Sequence, residues 1–326
     1  MKILITGATG FLGGALARRL HSMGWDVTAL GRNARRLDQL ENEGMRAFQL
    51  DLKDKSAMTA ACKDQEIVFH CAALPSPWGN FEAFYQANVI GTRNVIRGCE
   101  ENKVKRLVYV STPSLYFGYS SRMNVKETDA LPEPVSNYAA TKILAEQELD
   151  QAFEKGLATI VIRPRAIFGP GDTVIFPRLI PRLQSGRLPI FGDGENIVDL
   201  TYIENVVDAL LLCAESPAST LGKKYNISNG ESVKLWKLIE RICKELNLPT
   251  PKRKISYQTA NAAASVLEFI YTLIPTQPEP PLTRISVSMM ANSTTLDITA
   301  AKNELGYQPK VSVDEGFDLF MKWRKQ

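Results

Sequence analysis

Up to about residue 165 the hydrophobic positions fall into two alternating patterns. Six short runs are apolar at almost every position: KILIT (2–6), DVTAL (26–30), AFQL (47–50), EIVFHCAA (66–73), RLVYVS (106–111) and ATIVIRP (158–164). Runs of this length, rich in β-branched residues, read as strands covered on both faces. Between them the apolar residues repeat with the period of a helix. In FLGGALARRLHSMG (11–24), Leu12, Leu16 and Leu20 recur every fourth residue. Further helices are read around 33–42, over 81–102 and over 136–155. The repeated β-α-β succession predicts an α/β fold built on a doubly wound parallel sheet.

Beyond residue 165 the pattern loosens, and glycines and prolines multiply in IFGPGD (167–172), IFGDGEN (190–196) and IPTQPEPPLTR (274–284). Two lobes are expected. Residues 1–165 form the first, with 196–215 returning to it. Residues 166–195 and 216–326 form a smaller C-terminal α/β lobe. AASVLEFIYTLIP (263–275) is strongly apolar and broken by Glu268. It reads as part of the second lobe's core first, and otherwise as a lid or an interfacial helix.

Composition narrows the function. The 326 residues are 44% apolar and 23% charged, ordinary for a globular chain, and a net charge of +4 spread along the sequence does not argue for nucleic acid. The five cysteines form no C-x-x-C pair, which reads as reduced thiols in a cytoplasmic protein. With His21 and His70 as the only histidines, neither a Ser-His-Asp triad nor a His-rich metal site is expected. No apolar run reaches membrane-spanning length.

Chemistry enters at TGATGFLGG (6–14), between the first strand and the first helix. Gly7, Gly10 and Gly13 permit a tight turn, close approach of backbone to a pyrophosphate and close helix–strand packing. The helix N-terminus beyond offers unpaired N–H groups and the positive end of its dipole. This predicts a Rossmann-type, dinucleotide-binding first lobe and a substrate-binding second lobe. A second feature is SNYAATK (136–142), where Tyr138 and Lys142 stand one helical turn apart on a single face.

The G-x-x-G-x-x-G spacing and the Tyr-x-x-x-Lys pair together resemble the extended branch of the short-chain dehydrogenase/reductases, within the NAD-dependent epimerase/dehydratase superfamily. The resemblance continues through DLKD (51–54), HCAAL (70–74), NVIGTRNVI (88–96), VYVSTPSLY (108–116), YAATKILAE (138–146), RPRAIFGPGD (163–172) and LTYIENVVDAL (200–210). It implies a hydride-transferring enzyme in which Tyr138 moves the proton and Lys142 lowers the tyrosine pKa and holds the nicotinamide ribose. A hydroxyl from STPSLY binds the reacting oxygen: Thr112 by alignment, with Ser111 and Ser114 as neighbours. Implied cofactor contacts are Gly7, Thr9, Gly10, Phe11, Leu12, Gly13, Arg32, Asp51, Leu52, Ala72, Ala73, Tyr138, Lys142 and Pro164, with Asn88 bracing the central helix. It also implies a homodimer through the two long helices.

Where NAD-specific members carry an acid, at the end of the second strand, this chain has Gly31 and Arg32. Arg32, helped by Arg35 or Arg36, would attract a 2′-phosphate, so NADP(H) is expected over NAD(H). Val198 stands where the nucleotide-sugar enzymes place a phosphate-gripping Arg. YIENVVDA (202–209) and the tail from PEPPLTR onward are more similar to the 3β-hydroxysteroid dehydrogenase-like group. The expected substrate is a secondary alcohol or ketone on an apolar skeleton, a 3-hydroxysteroid or a long-chain β-hydroxy/β-keto acid, taken from solution or by peripheral contact with a membrane. A nucleotide-sugar epimerase or dehydratase is the alternative, and a non-catalytic dinucleotide sensor a second. Trp78, Phe81 and Phe84 follow the HCAALPSP turn, as substrate contacts or as ordinary packing.

Overall fold

The computed structural model describes every residue except 275, 277 and 326. A seven-stranded sheet forms its centre. Five strands come early: β1 (Lys2–Thr6), β2 (Asp26–Gly31), β3 (Arg46–Gln49), β4 (Ile67–His70) and β5 (Arg106–Val110). Thr159–Pro164 and Lys224–Ile227 complete the sheet, whose spatial order is Lys224–Ile227, Thr159–Pro164, β5, β4, β1, β2, β3. Every pairing in it is parallel.

Alternation along each strand feeds two cores. Ile3, Ile5, Phe69, Val108, Ile160 and Ile162 face one layer, which includes α1 (Phe11–Ser22) and the helix Ile203–Glu215. Leu4, Val68, Leu107, Tyr109 and Val161 face the other, with Met58, Val95, Cys99, Ala145 and Leu149. Both faces are therefore closed to water, which is why these strands read as unbroken apolar runs.

The helices start where capping residues allow. Asn33 accepts from the Arg36 amide ahead of Ala34–Asn42, and Asp54 from the Ala57 amide ahead of Lys55–Ala61. The long helix read over 81–102 runs from Phe81 to Glu101, with a π-helical stretch at Tyr85–Ile90. Such wide turns often mark functional positions, and this one carries Asn88.

The edge strand Lys224–Ile227 comes from a segment that the sequence reading gave to the second lobe. A further four-stranded sheet, from Ser232–Lys234, Ile197–Asp199, Thr294–Leu296 and Arg122–Val125, lies outside the runs named above. Val198 belongs to it, 4% exposed and paired with Val233 and Thr294.

The expectation that 263–275 is chiefly core does not hold for its described part; residue 275 lies outside the described residues. In the helix Tyr257–Thr272 only Ala260 and Ala264 are buried. Val266, Phe269 and Ile270, with Leu273 just beyond, are exposed. The helix is held by Ala260, Ala264 and Tyr257, whose hydroxyl donates to the Tyr119 carbonyl, while Val266, Phe269 and Ile270 turn outward.

Candidate active site

The C-terminal ends of the parallel strands open into one cavity of about 740 Å³, where ligands of open α/β sheets bind. At one end lie Gly7, Thr9, Gly10, Phe11, Leu12, Gly13, Arg32, Asp51, Leu52, Ala72 and Ala73. In the middle stand Thr112, Tyr138 and Pro164, and beyond them Leu179, Leu188, Met289 and Met290 among other apolar groups. Two expected site residues, Asn88 and Lys142, are not among the lining residues and stand behind the wall.

The glycine turn is tight because backbone meets backbone. Gly7 has φ of +72°, and a Cβ on it would come within 2.7 Å of the Ala72 nitrogen. A Cβ on Gly13 would overlap the Gly7 carbonyl. Gly10 precedes α1 and no side chain caps that helix, so the first-turn amides of Phe11, Leu12 and Gly13 remain for an anion. This cradle fits the pyrophosphate of a dinucleotide. At the end of β2, the space that a side chain on Gly31 would need is filled by Thr9. Arg36 donates to the Thr9 carbonyl at 2.5 Å and so latches the loop, leaving Arg32 on the cavity wall.

Ser136 accepts from the Ala139 amide at 3.1 Å and starts the helix Asn137–Glu154. Tyr138 thereby lands in its first turn, at the cavity. Of the three candidate hydroxyls, Thr112 is the one that opposes the rise of the Tyr138 pKa, and both line the cavity. Ser111 instead donates to Glu146 at 2.5 Å, and Ser114 accepts from Thr112 at 3.0 Å.

Lys142 departs from the expected arrangement. Its ammonium donates to Tyr109 Oη at 2.5 Å and to the Val110 carbonyl at 2.8 Å. The expected lowering of the Tyr138 pKa by Lys142 is not found. Burial pushes Tyr138 up to about 12, opposed by Thr112. Burial also pulls Lys142 down to about 7, opposed by Glu146 and Cys71. Desolvation outweighs the charge one turn away, because both groups lie in a water-poor interior.

Sequence reading missed four members of this region. Tyr109 holds Lys142. Glu146, one further turn along the same helix face, takes a two-pronged ion pair from Arg163; the 138/142/146 spacing was the available signal. His70, fully buried and pulled down to about 3 by desolvation, is neutral. It lies 2.7 Å from Thr6 Oγ1 and 3.0 Å from Thr92 Oγ1. Arg165 lines the cavity beyond Thr112. Asn88 does brace the centre, accepting from the Leu74 amide at 2.8 Å and donating to Thr141 Oγ1 at 3.1 Å. Of the aromatic candidates, Phe84 is buried beside the Tyr138 ring, centroids 6.5 Å apart, and Phe81 is exposed against Tyr85.

A parallel sheet with a glycine cradle and a Tyr–Lys helix at its mouth defines an extended short-chain dehydrogenase/reductase, an NAD(P)-dependent oxidoreductase. The chain belongs to the NAD dependent epimerase/dehydratase family, whose model matches residues 3–228. It is 38% identical over 322 residues to the 2-alkyl-3-oxoalkanoate reductase of Stenotrophomonas maltophilia (strain K279a), covering 97% of both chains. It is 35% identical over 326 residues to the human sterol-4-alpha-carboxylate 3-dehydrogenase, decarboxylating, covering 97% of this chain and 86% of that one. Among solved structures it is similar to MoeE5 in complex with UDP-glucose and NAD, with a TM-score of 0.79 and 26% identity over 100% of this chain and 99% of the other. No helix among the described residues is long and apolar enough to cross a membrane.

Proposed function

We propose that the protein interconverts a ketone and a secondary alcohol on a hydrophobic skeleton, of the long-chain β-keto/β-hydroxy acid or 3-hydroxysteroid type. The observation that carries this reading is the continuity of the cavity, from the glycine cradle past Tyr138 and Thr112 to apolar side chains. The names of the curated relatives, a reductase of oxoalkanoates and a sterol dehydrogenase, support it. Against a nucleotide-sugar substrate stands Val198, tied into a sheet and absent from the cavity wall.

The bound nicotinamide supplies or takes the hydride. The chain's own residues handle the oxygen. Thr112 fixes it by a hydrogen bond, and Tyr138, kept protonated by burial, donates its phenolic proton to it as the ketone is reduced. Lys142, held by Tyr109 and Val110, stands behind the cavity wall one turn along the helix from Tyr138. Asn88 and Phe84 keep the Tyr138 helix in position.

NADP(H) is the preferred cofactor. An acid at position 31 would displace Thr9, and Arg32 is free of ion pairs among the described residues. The protein works as a homodimer through the outer faces of its two long helices, in the cytoplasm, where its five free thiols persist. Light scattering at micromolar concentration showing only monomer overturns the dimer.

The test of the reaction is NADPH oxidation across β-keto acids of increasing chain length and a 3-ketosteroid, with UDP-glucose as competitor. Efficiency should rise with alkyl length, since apolar burial contributes about 25 cal/mol per Å². Activity indifferent to chain length, or micromolar inhibition by UDP-glucose, returns the epimerase reading.

A further inference from the structure

Two arginines lie two residues apart at the end of one sheet strand, and their surroundings differ. Arg163 is paired with Glu146 and donates to Tyr116. Arg165 is 5% exposed, yet its Nε has no hydrogen-bond partner, and among the described residues no carboxylate lies within ion-pair distance of it. Its guanidinium rests on the Phe117 ring, 4.5 Å from the centroid. The nearby acid, Asp199, is already engaged, accepting from Ser232 Oγ at 2.8 Å and from the Leu296 amide at 2.7 Å. A buried guanidinium without an anion is costly, so its persistence calls for a ligand.

We propose that Arg165 binds a carboxylate of the substrate, so that the molecule reduced is a free 3-oxo acid. This deepens the ketone reading above and rests on it. Arg165 lines the same cavity as Thr112, Ser114 and Tyr138. The ring beneath it, Phe117, closes the turn Pro113–Tyr116 that begins at Thr112. The cation and the oxygen-binding hydroxyl are thus anchored to one short turn. A 3-oxo acid presents its carbonyl and its carboxylate with a single carbon between them, matching two such neighbouring anchors. Arg165 keeps its charge: burial pulls it down only to about 10, with Asp199 opposing. The planar fork suits a carboxylate in two-point contact, and the apolar wall at Leu179, Leu188, Met289 and Met290 takes the alkyl chain.

A dinucleotide's pyrophosphate would be the other anion for this cavity to hold, and the experiment separates the two. A long-chain 3-oxo acid and its methyl ester are compared by NADPH oxidation, in the wild type and in Arg165→Met. In parallel, calorimetry measures NADPH alone and the matching 3-hydroxy acid and ester on the NADPH-loaded protein. In the wild type the acid should exceed the ester at least about thirtyfold in kcat/KM, the scale of a charge-assisted contact. In Arg165→Met the ratio should fall to within about threefold of unity, and Arg165→Lys should restore part of it. The melting temperature of Arg165→Met should not fall, since a buried unpaired charge has been removed. Acid and ester equal in the wild type, by turnover or by calorimetry, overturn the proposal while leaving the ketone reading intact. A variant that loses NADPH affinity in step with acid affinity assigns Arg165 to the pyrophosphate and also overturns it. Reduction of neither compound, with neither bound, refutes the ketone reading itself.

Discussion

The two ends of the cavity are made of different material. The cradle end is backbone: Gly7 against Ala72, Gly13 against the Gly7 carbonyl, and uncapped amides at the start of α1. The far end is side chain: Leu179, Leu188, Met289, Met290 and Arg165. Backbone surfaces tolerate little change, because an added Cβ there meets atoms that cannot move aside. Side-chain surfaces can be resculpted without disturbing the sheet. The family model ends at residue 228, so it spans the cradle and Leu188 but not Met289 and Met290. On the proposed function, the backbone end holds the dinucleotide and the side-chain end meets what is reduced.

The contrast can be broken most severely where the two ends meet. Tyr138→Phe should lower turnover by about two to four powers of ten, the scale of losing a general acid, with NADPH affinity nearly unchanged by calorimetry. Near-normal turnover would falsify the role given to Tyr138. At the cradle, Gly13→Ala should weaken NADPH binding by about a hundredfold and lower the melting temperature, since overpacking costs about 1–3 kcal/mol and shifts the loop. Normal affinity in that variant would erase the distinction between the ends. Arg32→Ala should reduce the NADPH-to-NADH efficiency ratio at least about tenfold; a wild type already favouring NADH reverses the cofactor reading. At the far end, Leu188→Ala should raise KM for long-chain substrates several-fold and leave short ones and NADPH alone.

The smallest effect concerns pH. Burial pulls Lys142 down to about 7 in the folded chain, from an ordinary 10.5. Between these values the unfolded chain holds a proton that the folded chain does not, so stability rises with pH across that window. In Lys142→Met this contribution is gone. The melting temperature of wild type minus variant should grow by a few degrees between pH 7 and 9. A difference that is flat or shrinks with pH removes the buried ammonium from the account.

Much of this was legible in the sequence. Strands covered on both faces leave apolar runs, so six of the seven strands of the large sheet were readable, as was the glycine turn between β1 and α1. Motif and resemblance singled out Tyr138 and Thr112, which line the cavity, and Lys142, which stands behind its wall. The four-stranded sheet was not legible, because its strands are three or four residues long and pair with partners far along the chain, as Val198 does with Thr294 and Arg122 with Thr294. Nor was the direction of Lys142, which depends on Tyr109 and Val110 arriving from another strand. Arg165 stood in plain view in RPRAIFGPGD, but a sequence does not reveal that a guanidinium is buried without a partner. The 263–275 segment misled for the opposite reason: apolar residues predict burial, and here Val266, Phe269, Ile270 and Leu273 are exposed.

The edge strand Lys224–Ile227 bears on how the chain can be cut and how it is made. It reaches Thr159–Pro164 only after some sixty intervening residues. A piece ending at residue 165 or 215 leaves the Thr159–Pro164 strand with a bare row of amides and carbonyls, a template for pairing with another copy. The nucleotide-binding half is therefore not a detachable cassette. During synthesis the sheet stays open at that side until residue 227 has left the ribosome, so premature termination before that point yields sticky, aggregation-prone fragments rather than a smaller working protein.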